Sequence, residues 1–485
     1  MLESHTLPPL IANLVKRARQ EHKDGNVELL ETHISWVLLA GDCAYKIKKP
    51  VKLPFVDYSS LEARRSFCEA ELTLNRRYAP DIYLGLEPIG GTPEAPRLGE
   101  TPAIEWAVKM RRFDEKWRMD HVCARGELTP ELVSDLVRAV AAFHRSASVA
   151  PPASRFGEAD QVLAAALENF EELRSLLPAE RSQLAGLERW TIREFRRRKV
   201  CFAARKAAGR IRECHGDLHL GNIVLLDGRA IPFDCIEFNE NFRWIDQASE
   251  LAFTYEDLLD HRQPGLANWL VSEWLTTTGD FDVLLLLPFY AVYRALVRGK
   301  VAAIRGDLAE AVEYLALARR LSFRPHPTLT ITFGLSGSGK TTLSSKRLLE
   351  DTTANTVRLR SDVERKRLFG MRSEDAGGGD IYTDGATNLT YGRLEELTWN
   401  ALTAGWSVIV DATFLHRPQR ERFRNLATRL NIPFSILACE APPEELRRRL
   451  RARRNDASEA TVAVLERQIQ CVEALCEDEV SNLPY

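Results

Sequence analysis

Two short stretches of the 485-residue chain gather residue types that can handle phosphate. Residues 334–341 read GLSGSGKT, the pattern G-x-x-x-x-G-K-S/T. Its glycines let backbone N–H groups curl around a phosphate, and the N-terminus of the following helix adds positive potential. In such a loop Lys340 reaches the β- and γ-phosphates of a nucleotide and Thr341 ligates Mg2+. Gly334, Ser336, Gly337, Ser338, Gly339, Lys340, Thr341 and Thr342 are the expected phosphate contacts, and ATP and Mg2+ the implied cofactors. The second stretch is HGDLHLGN at 215–222, followed by Asp234 in IPFDCIEF. Asp217 can accept the proton of an acceptor hydroxyl, while Asn222, five residues on, turns back toward a metal. The intervening NIVLLDGRAIPF then delivers Asp234 as a second metal-binding group. His215 and His219 lack a third ligand at metal spacing, and His215 is expected to orient the loop.

Two more acids end strand-like runs, where doubly wound sheets bind ligands. Asp411 closes WSVIV as a turn acid or as a carboxylate holding Mg2+ through water. Asp362 follows TVRLRS, either capping a helix or acting as general base on an acceptor hydroxyl. Arg447, Arg448, Arg449, Arg451, Arg453 and Arg454 crowd one helix and its end. They are a solvated basic face or, because so much like charge repels itself, a lid that meets the transferring phosphoryl group. Arg294, Arg298 and Arg305 share another helix, as basic surface or as an anion-binding wall.

The elements that must position these groups fall into two patterns. Residues 33–48 read as two strands around a Gly41-Asp42 turn, and Ser59 with Glu62 reads as a capping box opening a helix to about Tyr78. IYLGLEPI and AIEWAVKM are further strands, and Asp227-Gly228 marks a hairpin. Helical periodicity dominates from Thr129-Pro130 to Leu321, apart from that hairpin. SFRPHP at 322–327 breaks it and is the expected boundary between a domain at 1–321 and another at 322–485. Beyond it TLTITF, TVRL, WSVIV and FSILA alternate with helices, which argues for a parallel sheet covered on both faces.

Composition sets outer limits. Hydrophobic content of 45% and charged content of 28% suit a soluble globular protein. A net charge of −2 offers no global attraction to nucleic acid or an anionic membrane. The nine cysteines include no C-x-x-C pair, as in a chain of reduced thiols, and no signal peptide is visible. The longest apolar run, Val283 to Val292, is roughly half a membrane span. The cytoplasm is the expected compartment.

GLSGSGKT, LRSDVERKRLFG, VIVDATFLHRPQRERF and LRRRLRARRNDASEA together resemble the small P-loop kinases of the zeta-toxin, polynucleotide-kinase and gluconate-kinase type, over about 320–480. That resemblance implies Lys340 and Thr341 on phosphate and Mg2+, Asp362 as base, Arg365 near the acceptor, and Arg449 or Arg453 in the lid. HGDLHLGN with IDQASELAFTYEDL resembles the aminoglycoside phosphotransferase and choline kinase family, strongest over 215–257 and looser over 33–113. It implies a bilobal protein-kinase-like α+β fold in front of an α/β P-loop domain. It also implies Lys46 on the α/β-phosphates with Lys48 as the alternative, Glu69 paired with that lysine or else Glu71, and Met110 in an adenine-bearing hinge. No G-x-G-x-x-G precedes the lysine strand and no Phe-Gly follows Asp234, which fits the antibiotic-kinase branch better than a regulated protein kinase. The leading expectation is a phosphotransferase with two kinase sites and a small-molecule acceptor such as a sugar, aminosugar or nucleoside. A nucleic-acid 5′-hydroxyl kinase in the C-terminal domain rests on the arginine cluster alone, and a non-catalytic ATP-sensing module is the third reading.

Overall fold

The computed structural model describes residues 7–22, 26–53, 56–372, 375, 381, 383–452 and 461–480. The chain divides into two compact units, one made of 1–128, 142–157 and 206–250 and the other of 129–141, 158–205 and 251–485. The sequence break at Ser322–Pro327 falls inside the second.

In the first unit an antiparallel sheet contains β1 (Val27–Glu31), β2 (Ser35–Ala40), β3 (Cys43–Lys48), β4 (Tyr83–Thr92), β5 (Ala95–Leu98) and β6 (Glu105–Arg111), ordered β1-β2-β3-β6-β4-β5. Helix α1 (Pro9–Glu21) sets Ile11, Leu14, Val15 and Ala18 against Trp36, Leu38, Ala40 and Ile47 of this sheet. Successive strand residues face opposite ways, so burying Ile47 under α1 sends Lys46 and Lys48 to the other face. There α2 (Leu61–Asn75) crosses. Its cap is Ser60, whose side chain accepts from the Ala63 N–H at 3.1 Å, one residue later than the expected Ser59. The Gly41-Asp42 turn joins β2 to β3 with Ala40 opposite Cys43, as the sequence implied.

Four short strands frame the HGDLHLGN segment: β7 (Ile211–Glu213), β8 (Ile223–Leu226), β9 (Arg229–Pro232) and β10 (Trp244–Asp246). β8 and β9 form the expected hairpin, with Leu226 opposite Arg229. Asp227 and Gly228 both have positive φ (51° and 75°), the geometry of a tight turn whose twist matches its strands.

In the second unit α3 (Ala159–Leu176), α4 (Arg181–Ala207, as far as Arg205), α5 (Gln247–Asp260, from Leu251 on), α6 (Pro264–Thr278), α7 (Val283–Ile304) and α8 (Leu308–Ser322) supply a helical layer; the first turn of α5, with Glu250, belongs to the first unit. Phe170, Leu173, Leu184, Leu187, Leu296 and Leu315 form one of its apolar clusters. The P-loop part contains β11 (Leu329–Phe333), β12 (Thr356–Arg360), β13 (Ser407–Asp411) and β14 (Phe434–Ala438), all parallel and ordered β12-β13-β11-β14. β11 and β13 are buried along their whole length, as strands covered on both faces must be. The helices here are α9 (Lys340–Glu350), α10 (Ser361–Leu368), α11 (Asp384–Thr403), α12 (Arg417–Arg429), α13 (Pro443–Ala452) and α14 (Val462–Cys471). α11 has no counterpart in the sequence reading, its first turns being rich in Gly, Thr and Asn. Asn268 on α6 ties the helical layer to this part: it accepts from the Thr356 N–H at 3.0 Å and donates to Leu348 O at 3.3 Å. Among the described residues no helix is long and apolar enough to cross a membrane.

Candidate active sites

The loop after β7 is clamped by Glu250, whose carboxylate accepts the backbone N–H groups of His215 at 2.7 Å and Gly216 at 2.9 Å. Burial opposes its ionisation, but His144 and the Gly216 N–H help outweigh burial and hold Glu250 below its ordinary pKa. Gly216 has φ 90°, and a Cβ there would stand 2.6 Å from Phe242 O, so the turn accepts no side chain. His215 is fully buried. Its Nδ1 accepts the Asp217 N–H at 3.3 Å and its Nε2 lies 2.8 Å from Phe233 O, so the proton sits on Nε2. Burial pushes its pKa down, keeping the ring neutral. The orienting role expected of His215 matches this geometry. Asn222 Nδ2 donates to Asp217 Oδ2 at 2.9 Å and to Asp217 O at 3.0 Å, which leaves the Asn222 amide oxygen as an acceptor.

Asp234 follows β9 with φ 64°, and its N–H donates to the Tyr83 hydroxyl at 3.0 Å. One of its oxygens pairs with Lys46 Nζ, and its side chain is 42% exposed. Lys46 also meets Glu71 Oε1 at 2.8 Å. Lys48 is buried, pairing with Glu71 Oε2 at 2.6 Å and with Glu237, which also accepts from the Tyr58 hydroxyl at 2.7 Å. Glu69 is not the lysine partner: it lies on the outer face of α2, paired with Arg65 at 2.9 Å. Residues two apart on a helix do not share a face, and the buried stripe of α2 contains Arg64, Cys68, Glu71 and Asn75. Glu237 went unnoticed because an acid three residues past Asp234 has no signature of its own. Met110 is partly buried and packs against the apolar cluster of Cys68, Ala79, Ile82, Tyr83, Val108 and Val224.

The donor chemistry suits a magnesium nucleotide. Asp234 has a second carboxylate oxygen and Asn222 an amide oxygen, ligands of the type Mg2+ takes, and Lys46 has an ammonium that could counter phosphate charge.

In the second unit the loop after β11 is a cradle that side chains would fill. Gly334 has φ 145°, and a Cβ there would lie 2.2 Å from Cys439 O; Gly337 and Gly339 have φ 83° and 96°. Ser338 Oγ is buried without a hydrogen-bond partner, 2.8 Å from where a Cβ on Gly334 would stand. Lys340, 9% exposed, donates to Leu335 O at 2.7 Å, folded over the loop it belongs to. The Ser336 N–H meets Gln468 Oε1 at 2.8 Å. Thr341 is half-buried and Thr342 exposed. These features fit a phosphate-binding loop.

The register sets Arg360 opposite Asp411, so Asp411 and Asp362 share the carboxyl edge of the sheet with this loop. Asp411 is buried and accepts from Ser344 Oγ at 3.2 Å, a contact the sequence did not suggest. Asp362 is half-buried at the second position of α10, whose N-cap is Arg360 without a side-chain cap bond, so Asp362 is not the cap. Arg365 is buried and donates to Ile381 O at 2.9 Å. Arg449 reaches Gly337 O at 3.3 Å while paired with Glu445 at 2.7 Å. Arg453 and Arg454 lie outside the described residues. The expectation that this arginine helix needs phosphate to offset self-repulsion is corrected by carboxylates: Glu466 of α14 pairs with Arg447 at 2.7 Å, and Glu445 of the same helix with Arg448 and Arg449. Nor do Arg294 and Arg298 of α7 and Arg305 at its C-cap form one wall. Arg294 is buried over Phe253, Arg298 binds the Tyr314 hydroxyl, and Arg305 pairs with Glu310.

A bilobal kinase-like site and a P-loop on a parallel sheet define a phosphotransferase class. Residues 109–275 match the profile of the phosphotransferase enzyme family, and residues 329–475 match that of an AAA domain. The N-terminal part thus has the aminoglycoside-phosphotransferase form of the protein-kinase-like fold and the C-terminal part a P-loop domain. An uncharacterised protein of Mycobacterium tuberculosis is 29% identical over 453 residues, covering 90% of this chain and 88% of its own length. Among solved structures, a choline kinase from Cryptosporidium parvum is 10% identical with a TM-score of 0.41, over 64% of this chain and 95% of that one. A GDP complex of an aminoglycoside 2′-phosphotransferase is 12% identical with a TM-score of 0.39, over 64% and 98%.

Proposed function

We propose that the chain carries two ATP- and Mg2+-dependent phosphoryl-transfer sites, each acting on a hydroxyl of a small polar acceptor such as a sugar, aminosugar or nucleoside. The observation that carries this reading is Asp217 hydrogen-bonded to Asn222 at 2.9 Å in a loop locked by Glu250, one neutral histidine away from the Asp234–Lys46–Glu71 chain. Asp217 orients the acceptor hydroxyl and takes its proton as the oxygen–phosphorus bond forms and the bond to the ADP oxygen breaks. Lys46 holds the α/β-phosphates, and Asn222 and Asp234 hold the metal. Bound Mg2+ supplies neutralisation of the phosphate charge. At the second site Lys340 swings from Leu335 O onto phosphate, Thr341 and Asp411 serve the metal, Asp362 is the base, and Arg449 meets the transferring group.

A screen with radiolabelled ATP against a metabolite pool tests this, run on wild type, Asp217→Ala and Lys340→Ala. A labelled acceptor that vanishes in one variant and persists in the other is the expected result. If both variants label every acceptor as wild type does, the reading fails. A 5′-hydroxyl oligonucleotide belongs in the same screen; the glutamates on Arg447, Arg448 and Arg449 leave that acceptor with less support than the small molecules.

A further inference from the structure

A cavity of about 300 Å³ lies in the second unit, away from both sets of residues above. Its walls come from the ends of α5 and α8, the segment after α8, the loop before β12, and Trp406 just before β13. Asn355 and Trp406 therefore stand at the amino ends of the two strands whose carboxyl ends lead to Asp362 and Asp411. Each strand has five residues, about 16 Å at roughly 3.3 Å per residue, so the cavity is at the opposite edge of the sheet from the phosphate loop.

The lining contains three arginines, Arg262, Arg320 and Arg324, and no carboxylate. Among the described residues none of the three makes an ion pair. Solvation accounts for Arg262 and Arg320, which are exposed, but not for Arg324. Burial pushes Arg324 down to about 10, its guanidinium lies 4.3 Å from the Trp406 ring centre, and it donates to Ala404 O at 3.0 Å. Asn355 is 2% exposed; its Nδ2 donates to Gly405 O at 2.7 Å, and its Oδ1 is buried without a donor. Three cations lining one cavity whose lining has no carboxylate favour an anion there, and guanidinium forks match phosphate oxygens. The orphan Asn355 oxygen calls for an N–H, and Tyr255 and Trp406 offer apolar ring surface beside it. The volume is at the small end of ligand pockets.

We propose that this cavity is a binding site for a phosphate monoester bearing a planar nitrogenous ring, a molecule of nucleoside monophosphate size. Arg262, Arg320 and Arg324 take the phosphate, and Asn355 accepts from the ring.

Calorimetry on the full chain tests it with AMP, ribose 5-phosphate and inorganic phosphate as probes. Both nucleotide sites are first saturated with a non-hydrolysable ATP analogue and Mg2+. AMP is expected to bind saturably at one site per chain, more tightly than either other probe. The affinity falls at least tenfold in the Arg262→Ala/Arg320→Ala double variant, whose exposed positions leave the thermal midpoint unchanged, and is kept in Lys340→Ala. Absence of saturable AMP binding, or equal binding by the double variant, overturns the site. Loss of AMP binding in Lys340→Ala assigns it to the phosphate loop and overturns it as well. Inorganic phosphate matching AMP overturns the ring.

Discussion

Glu71 sets one carboxylate oxygen 2.8 Å from Lys46 Nζ and the other 2.6 Å from Lys48 Nζ, so a single buried acid spans two cations. Burial alone would raise its pKa; the two ammonium groups outweigh that and hold it at about 2. Removing the charge strands two buried lysines with Glu237 and Asp234 as their remaining partners. Glu71→Gln is expected to cost about 3–5 kcal/mol, the scale for breaking a buried pair. Glu69→Gln, on an exposed pair, should stay within about 0.5 kcal/mol. Denaturant unfolding of the full chain separates them, and equal losses would refute the assignment. Because the folded pKa lies below the ordinary 4.5, Glu71 contributes stability above about pH 4.5 that fades as pH falls toward its folded value.

Asp217→Asn should remove the base and keep the loop, since an amide oxygen still accepts from Asn222. Turnover at the N-terminal site is expected to fall about 10²–10⁴-fold, with ATP affinity and unfolding midpoint unchanged. Initial-rate measurements with the acceptor found for that site check this. A loss under threefold would mean that Asp217 does not handle the proton.

The shapes of the two loops were legible in sequence because each is local: GLSGSGKT carries its own glycines, and Asp217 and Asn222 lie five residues apart. The DG hairpin and the four apolar parallel strands were legible for the same reason. What stayed hidden is long-range. Choosing Glu71 over Glu69 requires knowing which face of α2 meets the lysine strand, and Glu237 joins Lys48 across 189 positions. The arginine helix misled because Glu466 lies 19 residues away on α14. Helix α11 was missed because its polar, glycine-containing start carries no clear helical period.

Glu256 on α5 is fully buried and neither carboxylate oxygen has a hydrogen-bond donor. Burial first, then the neighbouring Asp257, raises its pKa well above 4.5, against the pull of Arg298 and Arg294. A raised folded pKa means that its contribution is fully present below about pH 4.5 and is lost as pH rises through the folded value. Glu256→Gln should therefore be neutral at pH 4 and stabilising by about 1 kcal/mol at pH 8, roughly 1–2 °C in the melting midpoint of a unit this large. Calorimetric scans at the two pH values test it. A lower midpoint at pH 8 would show instead an ionised, paired carboxylate.

Arg449 distinguishes a lid from a basic surface. Its side chain is 47% exposed and held by Glu445, yet one guanidinium nitrogen reaches Gly337 O over the phosphate loop. A residue parked there before transfer and moved onto the transferring group during it contributes to turnover and little to ground-state binding. Arg449→Ala should lower turnover at the P-loop site about 10²–10³-fold, the scale for losing one charge-stabilising donor, while ATP affinity changes less than threefold. Arg448→Ala, on the 77% exposed neighbour that shares Glu445, should change neither quantity. Steady-state kinetics beside equilibrium nucleotide binding separate the two effects. If Arg449→Ala weakens binding as much as turnover, the arginine grips ATP in the ground state and is no lid; if both variants act alike, the whole helix works as a diffuse field.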